Sequence, residues 1–156
     1  MDPPAGAQIF NLVAKSSDPK ANNQPLSVQG GKVGIFSGAK AGVFWSSPYD
    51  EKKTLSFHTN DDTHQIALKG SNGILDLIDV VNPTGDMITT GTSMEWSTFA
   101  VDGQGGVTVS DGADIPSRKW IAYQDGRGMT VALYDGFTDL KGKTVIDITL
   151  AASSPS

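Results

Sequence analysis

The sequence predicts an all-β chain, on three observations. Short β-branched and aromatic runs alternate with Gly, Asn and Asp turns. Apolar residues almost nowhere recur at the three-and-four spacing of an amphipathic helix. The 18 glycines and 8 prolines among 156 residues punctuate the chain too densely for long helices.

The elements follow in order. After a loose lead, the first strand is expected at 8–14 ("QIFNLVA"), and the polar stretch "SSDPKANNQP" reads as a long loop. "LSVQGGKVGIFSG" then gives strands at 26–29 and 32–37 about a Gly-Gly turn. Further strands are expected at 42–46, 54–59, 64–69 and 74–81, the last two flanking "GSNG". The remainder are placed at 87–90, 95–101, 107–110, 119–124, 129–134 and 144–150. "AVDGQGGVTVSDG" and "YQDGRGMTVALYDG" repeat one plan: a tryptophan upstream (Trp96, Trp120), a strand, a Gly-rich turn, a strand and Asp-Gly. Tight hairpin turns need positive φ, which glycine supplies and Asp tolerates, so Gly103 and Gly126 are expected to hold it. The predicted architecture is about twelve or thirteen short antiparallel strands in serial hairpins, closing into a barrel or a sandwich that hides its edges. Twelve strands in hairpins also fit a β-trefoil. One domain is expected over 8–150, with flexible ends at 1–7 and 151–156.

Both histidines lie in "FHTNDDTHQ", residues 57 to 65. A hairpin of its two flanking strands sets Thr59 opposite His64, Phe57 opposite Ile66 and Leu55 opposite Leu68, with all large apolar residues on one face. His58 and His64 then point to opposite faces, exposed beside a polar turn. They share no metal, and no cysteine or third histidine exists to help.

Composition narrows function by exclusion. Net charge is −5, and the 12 Lys and Arg never cluster beyond pairs, so no basic stripe exists for nucleic acid or an anionic membrane. The absence of cysteine removes disulfides and thiolate chemistry. The opening "MDPPAGAQIF" lacks the basic and apolar regions of a leader and reads as an initiator placed on a mature chain. No apolar run reaches membrane-span length. Nucleophile-elbow and phosphate-loop motifs are missing; Ser37-Gly38-Ala39-Lys40 lacks a helix and companion motifs, and "SDGAD" lacks calcium-loop spacing. No cofactor or metal is expected. Glycosidase chemistry needs two carboxylates across a cleft, but Asp102, Asp111, Asp125 and Asp135 each precede glycine, where turn chemistry accounts for them.

Trp45, Trp96 and Trp120 all fall in strands, where burial is the ordinary fate of tryptophan. The functional alternative is a platform stacking on a pyranose beside polar side chains. Trp45 with Tyr49 and Asp50, next to "SSPYDEKK", is the main candidate, and Trp120 is a second.

"QIFNLVAKSS", "NGILDLIDV" and "RKWIAYQDGRGMTVALYDG" together resemble the secreted fungal cell-wall proteins of the phialide-associated (phiA-like) group. Members share an early Phe-x-x-x-Ala strand, a Gly-Leu/Ile strand in the middle and a late Trp-containing hairpin. The resemblance implies a secreted, non-enzymatic protein of the conidial or hyphal surface and brings no catalytic residues. The expected function is structural, shielding or glycan-contacting, with neutral wall polysaccharide as partner. A lectin-like module built on Trp45 or Trp120 is one alternative, and a glycan hydrolase using paired Asp is the other.

Overall fold

The computed structural model describes residues 2–71, 73–126 and 128–155. They form β1 (Ile9–Lys15), β2 (Gln24–Pro25), β3 (Ser27–Gln29), β4 (Lys32–Phe36), β5 (Phe44–Tyr49), β6 (Thr54–Thr59) and β7 (His64–Ser71). The second half adds β8 (Ile74–Val81), β9 (Ser93–Trp96), β10 (Phe99–Val101), β11 (Val107–Val109), β12 (Lys119–Asp125), β13 (Gly128–Tyr134) and β14 (Val145–Ser153). All pairings among the described residues are antiparallel, in the order β11-β10-β6-β5-β1-β14-β12-β13-β4-β8-β7-β9, with β2 on β1 and β3 on β4. The fold is all-β, as the composition predicts.

Chain connectivity curls this sheet. β6 and β7 are neighbours in sequence but lie near opposite ends of the strand order, and so do β9 and β10. Residues 97–98 alone join β9 to β10, and so short a connection spans only about 10 Å. The far ends of the sheet must therefore meet, and the sheet wraps into a half-barrel. A bridge between Gly106 and Ala151 ties the β11 side back to β14.

The core fills the inside of this curl. Phe44, Phe57, Phe99, Leu12, Leu26, Ile66 and Leu68 are completely or almost completely buried. Phe57 stacks on Phe99 at 4.5 Å and meets Phe10 edge-on at 5.2 Å. A smaller cluster of Ile121, Tyr123, Ala132 and Tyr134 packs under Ile74, Leu140 and Val145. Trp120, Ala122, Val131 and Leu133 join the main core instead, so β12 and β13 are buried on both faces. Their central stretches, Trp120 to Tyr123 and Val131 to Tyr134, accordingly read as unbroken apolar runs.

The histidine hairpin is not formed. β6 is already paired with β5 on one edge and β10 on the other, and β7 with β8 and β9. With all four edges satisfied, residues 60–63 cross between the two ends of the sheet rather than reversing within it. Phe57 and Ile66 do share the core, although their strands are not paired.

Other boundaries shift for identifiable reasons. Residues 87–90 make no strand; a single 3₁₀ turn at Gly85–Met87 opens the segment, and Met87 and Ile88 stay exposed. The expected strand 95–101 breaks into β9 and β10 at Ser97, whose φ is 66°. β2 falls inside the expected polar loop, and β14 continues to Ser153, where 151–153 pair with β1. Gly126 takes positive φ (63°), but Gly103 does not; Gly105 does instead, at 86°. Asp102 accepts the Gly105 N–H, and the Asp102 N–H reaches Gly106 O. That is a three-residue hairpin with a bulge, which puts the left-handed position third in the loop.

Candidate functional site

The expected sugar platform is taken apart by burial. Trp45 and Trp120 are each only 6% exposed, too little to offer a ring face to a ligand. Trp45 stands opposite His58 in the β5–β6 ladder, stacks on it at 4.1 Å and donates its indole N–H to Asn60 O at 2.8 Å. Trp120 donates to Val107 O at 2.9 Å. Both are core residues with their polar end satisfied. Tyr49, at the end of β5, is half-buried with its hydroxyl on Glu51, and Asp50 is exposed in the following turn. Tyr49 and Asp50 are thus separated from both indoles' faces.

The histidines are also redistributed. His58 is 5% exposed, not a surface residue. Its Nδ1 lies 2.8 Å from His64 O, which can only accept, so Nδ1 carries the proton and Nε2 accepts from Ser47 Oγ at 2.8 Å. Burial holds its pKa below the ordinary histidine value and keeps the ring neutral. His64 turns to Asp79 at 3.1 Å, and Thr59 donates to the same carboxylate. The two residues meet through a backbone carbonyl. Among the described residues no three His, Cys, Asp or Glu side chains cluster as a metal site.

A different group assembles where the chain crosses at Ser97. Tyr49, Met94, Glu95, Trp96 and Ser97 line an open groove of about 280 Å³. Trp96 is only partly buried there, unlike the other two tryptophans. Ser97 anchors the corner: its carbonyl accepts from Thr54 Oγ1, and its hydroxyl meets Ser56 Oγ.

Glu95, next to Trp96 in β9, brings unusual chemistry to the other face of the strand, where it stands opposite Leu68. Arg118 grips Asp111 with two parallel bonds of 2.9 and 2.8 Å and comes within 3.7 Å of Glu95. Oε1 of Glu95 is fully buried and has no hydrogen-bond donor among the described residues. Ionised, it would be a buried charge poorly matched by an arginine already committed to Asp111. Burial first, and then the hydrogen bond to Asp111, push its pKa up to about 8. Asp111 is held far below the usual carboxylate range, chiefly by Arg118. At neutral pH the pair is thus one carboxylic acid and one carboxylate, the acid donating to its neighbour.

The Asp-Gly carboxylates are engaged in local bonds. Asp102 accepts from Gln104 and Gly106 N–H groups, Asp111 from Ala113 N–H, and Asp135 from Phe137 and Thr138 N–H groups. Asp125 instead holds Lys32 and Thr130. The Asp135 turn presents Phe137, at 73% exposure the most exposed aromatic residue among those described. Compared with known proteins, the chain matches no family model, no curated protein and no solved structure.

The sequence gives Trp96 no distinction from the other strand tryptophans and does not single out Glu95, because 95–101 reads as one strand. The signal was present in the spacing. Met94, Trp96, Phe99 and Val101 step by two, three and two, and the odd step marks the corner.

Proposed function

We propose that this chain is a non-enzymatic surface protein of the secreted fungal cell-wall type, contacting neutral glycan through the groove between Tyr49 and Trp96. The observation that carries the contact is two partly exposed aromatic side chains, Tyr49 and Trp96, lining one open groove. Aromatic faces accept the C–H face of a pyranose, and a polar tip at the rim can hydrogen-bond its hydroxyls. The cell-wall setting rests on the sequence resemblance alone.

Pull-down on insoluble chitin and β-glucan, with titration of soluble oligomers, tests the reading. Weak binding is expected, lowered about tenfold by Trp96→Ala or Tyr49→Ala and little changed by salt, since stacking is not screened as ion pairs are. If Phe137→Ala removes binding and Trp96→Ala does not, the groove is the wrong surface. Failure to bind any neutral wall polysaccharide overturns the function itself. Turnover of a glycan abolished by Glu95→Gln would install the hydrolase reading, because Glu95 and Asp111 are a carboxyl pair with pKa values driven apart. Against that reading, both carboxyls are gathered on one guanidinium, 3.7 and 2.8 Å from its Nη2, with Glu95 Oε1 sealed from solvent, where a glycosidic bond does not reach.

A further inference from the structure

On the outer face of β12 and β13, away from the Tyr49–Trp96 groove, a cavity of about 270 Å³ opens between β8 and the loop at 137–143. Its walls are fixed. The Asp135 carboxylate holds the Thr138 backbone N–H at 2.8 Å and its hydroxyl at 2.5 Å, and Tyr134 donates to Thr138 O at 2.6 Å. Gly73 O accepts from Asp135 N at 2.9 Å, and a Cβ on Gly73 would come within 2.1 Å of the Asp135 carboxylate, so the two segments are packed as closely as glycine allows. The cavity is therefore present before any ligand arrives.

Charge inside it is separated. Asp76, half-buried on β8, gives one oxygen to the Tyr123 hydroxyl at 2.8 Å. Among the described residues its other oxygen has no hydrogen-bond partner, and it is not sealed from solvent. Lys141 and Lys143 stand exposed at the rim, with the Lys143 ammonium 5.5 Å from the centre of the Tyr123 ring. Among the described residues, neither lysine makes an ion pair, and neither does Asp76 or Asp139. Lys32 and Lys143 both act on the Asp76 charge, yet neither closes onto it as an ion pair.

We propose that this cavity binds a small zwitterion of α-amino-acid size, its ammonium on Asp76 and its carboxylate between Lys141 and Lys143. A cation alone would meet the two lysines, and an anion alone would meet Asp76 and Asp139. Only a molecule carrying both charges satisfies the floor and the rim together. The Tyr123 hydroxyl, donating to Asp76, fixes the carboxylate in place. This site is independent of the glycan reading and of its groove.

Calorimetric titration of the whole chain with L-serine, L-glutamine, L-leucine and L-arginine tests it. At least one should bind saturably at a single site. Asp76→Asn, which keeps shape and can keep the tyrosine bond, should weaken binding at least about tenfold, and so should Lys141→Ala with Lys143→Ala. The N-acetyl and methyl-ester derivatives of the bound amino acid, each lacking one charge, should bind as poorly. The lysines are exposed, so that double variant remains decisive if Asp76→Asn lowers the melting point. No heat from any of the four, undiminished binding in the variants, or equal binding of either derivative overturns the proposal.

Discussion

Replacing Glu95 by Gln should make this protein markedly more stable in alkaline solution and leave it unchanged in mild acid. The fold holds the Glu95 carboxyl at about 8 against an ordinary 4.5. At about 1.4 kcal/mol for each tenfold change in proton affinity, that gap sets a ceiling of about 5 kcal/mol. The side chain is 26% exposed, and Arg118 can swing toward an ionised Glu95, so roughly 2–3 kcal/mol is the expected size after relaxation. The direction follows from which form the fold prefers. Because the folded state binds this proton more tightly, its contribution is complete below pH 4.5 and is lost as pH rises through about 8. Gln mimics the protonated acid at every pH, since its amide N–H can donate to Asp111 as the acid does. Asp111 has the opposite sign: its depressed pKa adds stability above 3.8 that is lost in acid, so a scan begun at about pH 5 isolates Glu95. Urea unfolding of both proteins from there to about pH 9.5 should show curves that coincide at the acid end and diverge with rising pH. Parallel curves across the range would refute both the raised pKa and the carboxyl–carboxylate contact that explains it.

His58→Ala should cost on the order of 2–4 kcal/mol in thermal or urea unfolding, because it removes a buried ring from Trp45 and strips partners from Ser47 Oγ and His64 O. The stability that His58 supplies by staying neutral is present above pH 6.5 and lost as pH falls through its lowered folded value, so the wild type should lose stability toward acid in a step that His58→Ala lacks. Gly105→Val should cost about 2 kcal/mol or more, since a Cβ there would lie 2.7 Å from Ala152 O on backbone at φ 86°. Gly103→Ala, in open space at ordinary φ, should melt within a degree or two of wild type.

The sequence made most elements legible because strand signals are local. Runs such as "TLSFHT" and "ILDLIDVV" coincide with β6 and β8 residue for residue, since their β-branched and aromatic content is bounded by turn residues at both ends. Which strands pair was much less legible. "LSVQGGKVGIF" and "YQDGRGMTVALY" form hairpins as their turns imply. "FHTNDDTHQ" has the same look, with a polar turn between apolar arms in good register, yet β6 finds its partners in β5 and β10. Nothing in a hairpin's own residues reveals that both its strands have been claimed by distant partners.

The candidate groove was hidden for the same reason, and its parts belong to that non-local geometry. Tyr49 reaches it at the end of β5, while Glu95 and Trp96 come from β9 at the far end of the strand order. They meet only because the sheet curls, and it curls there because Ser97 turns the chain at φ 66°. That corner is polar inside the protein: Ser97 is 6% exposed and bonded to Thr54 and Ser56 of β6. Unmatched buried hydroxyls would be costly, so this network fixes one alignment of β9 against β6 where apolar packing would tolerate several. The device that closes the fold thereby sets where Trp96 stands relative to Tyr49. Trp45, the aromatic that best suited a sugar platform in sequence, lies one ladder deeper, and the stacking that holds His58 beneath the corner consumes its face. Position relative to the crossing, more than residue type, decides which aromatic is left free to meet a ligand.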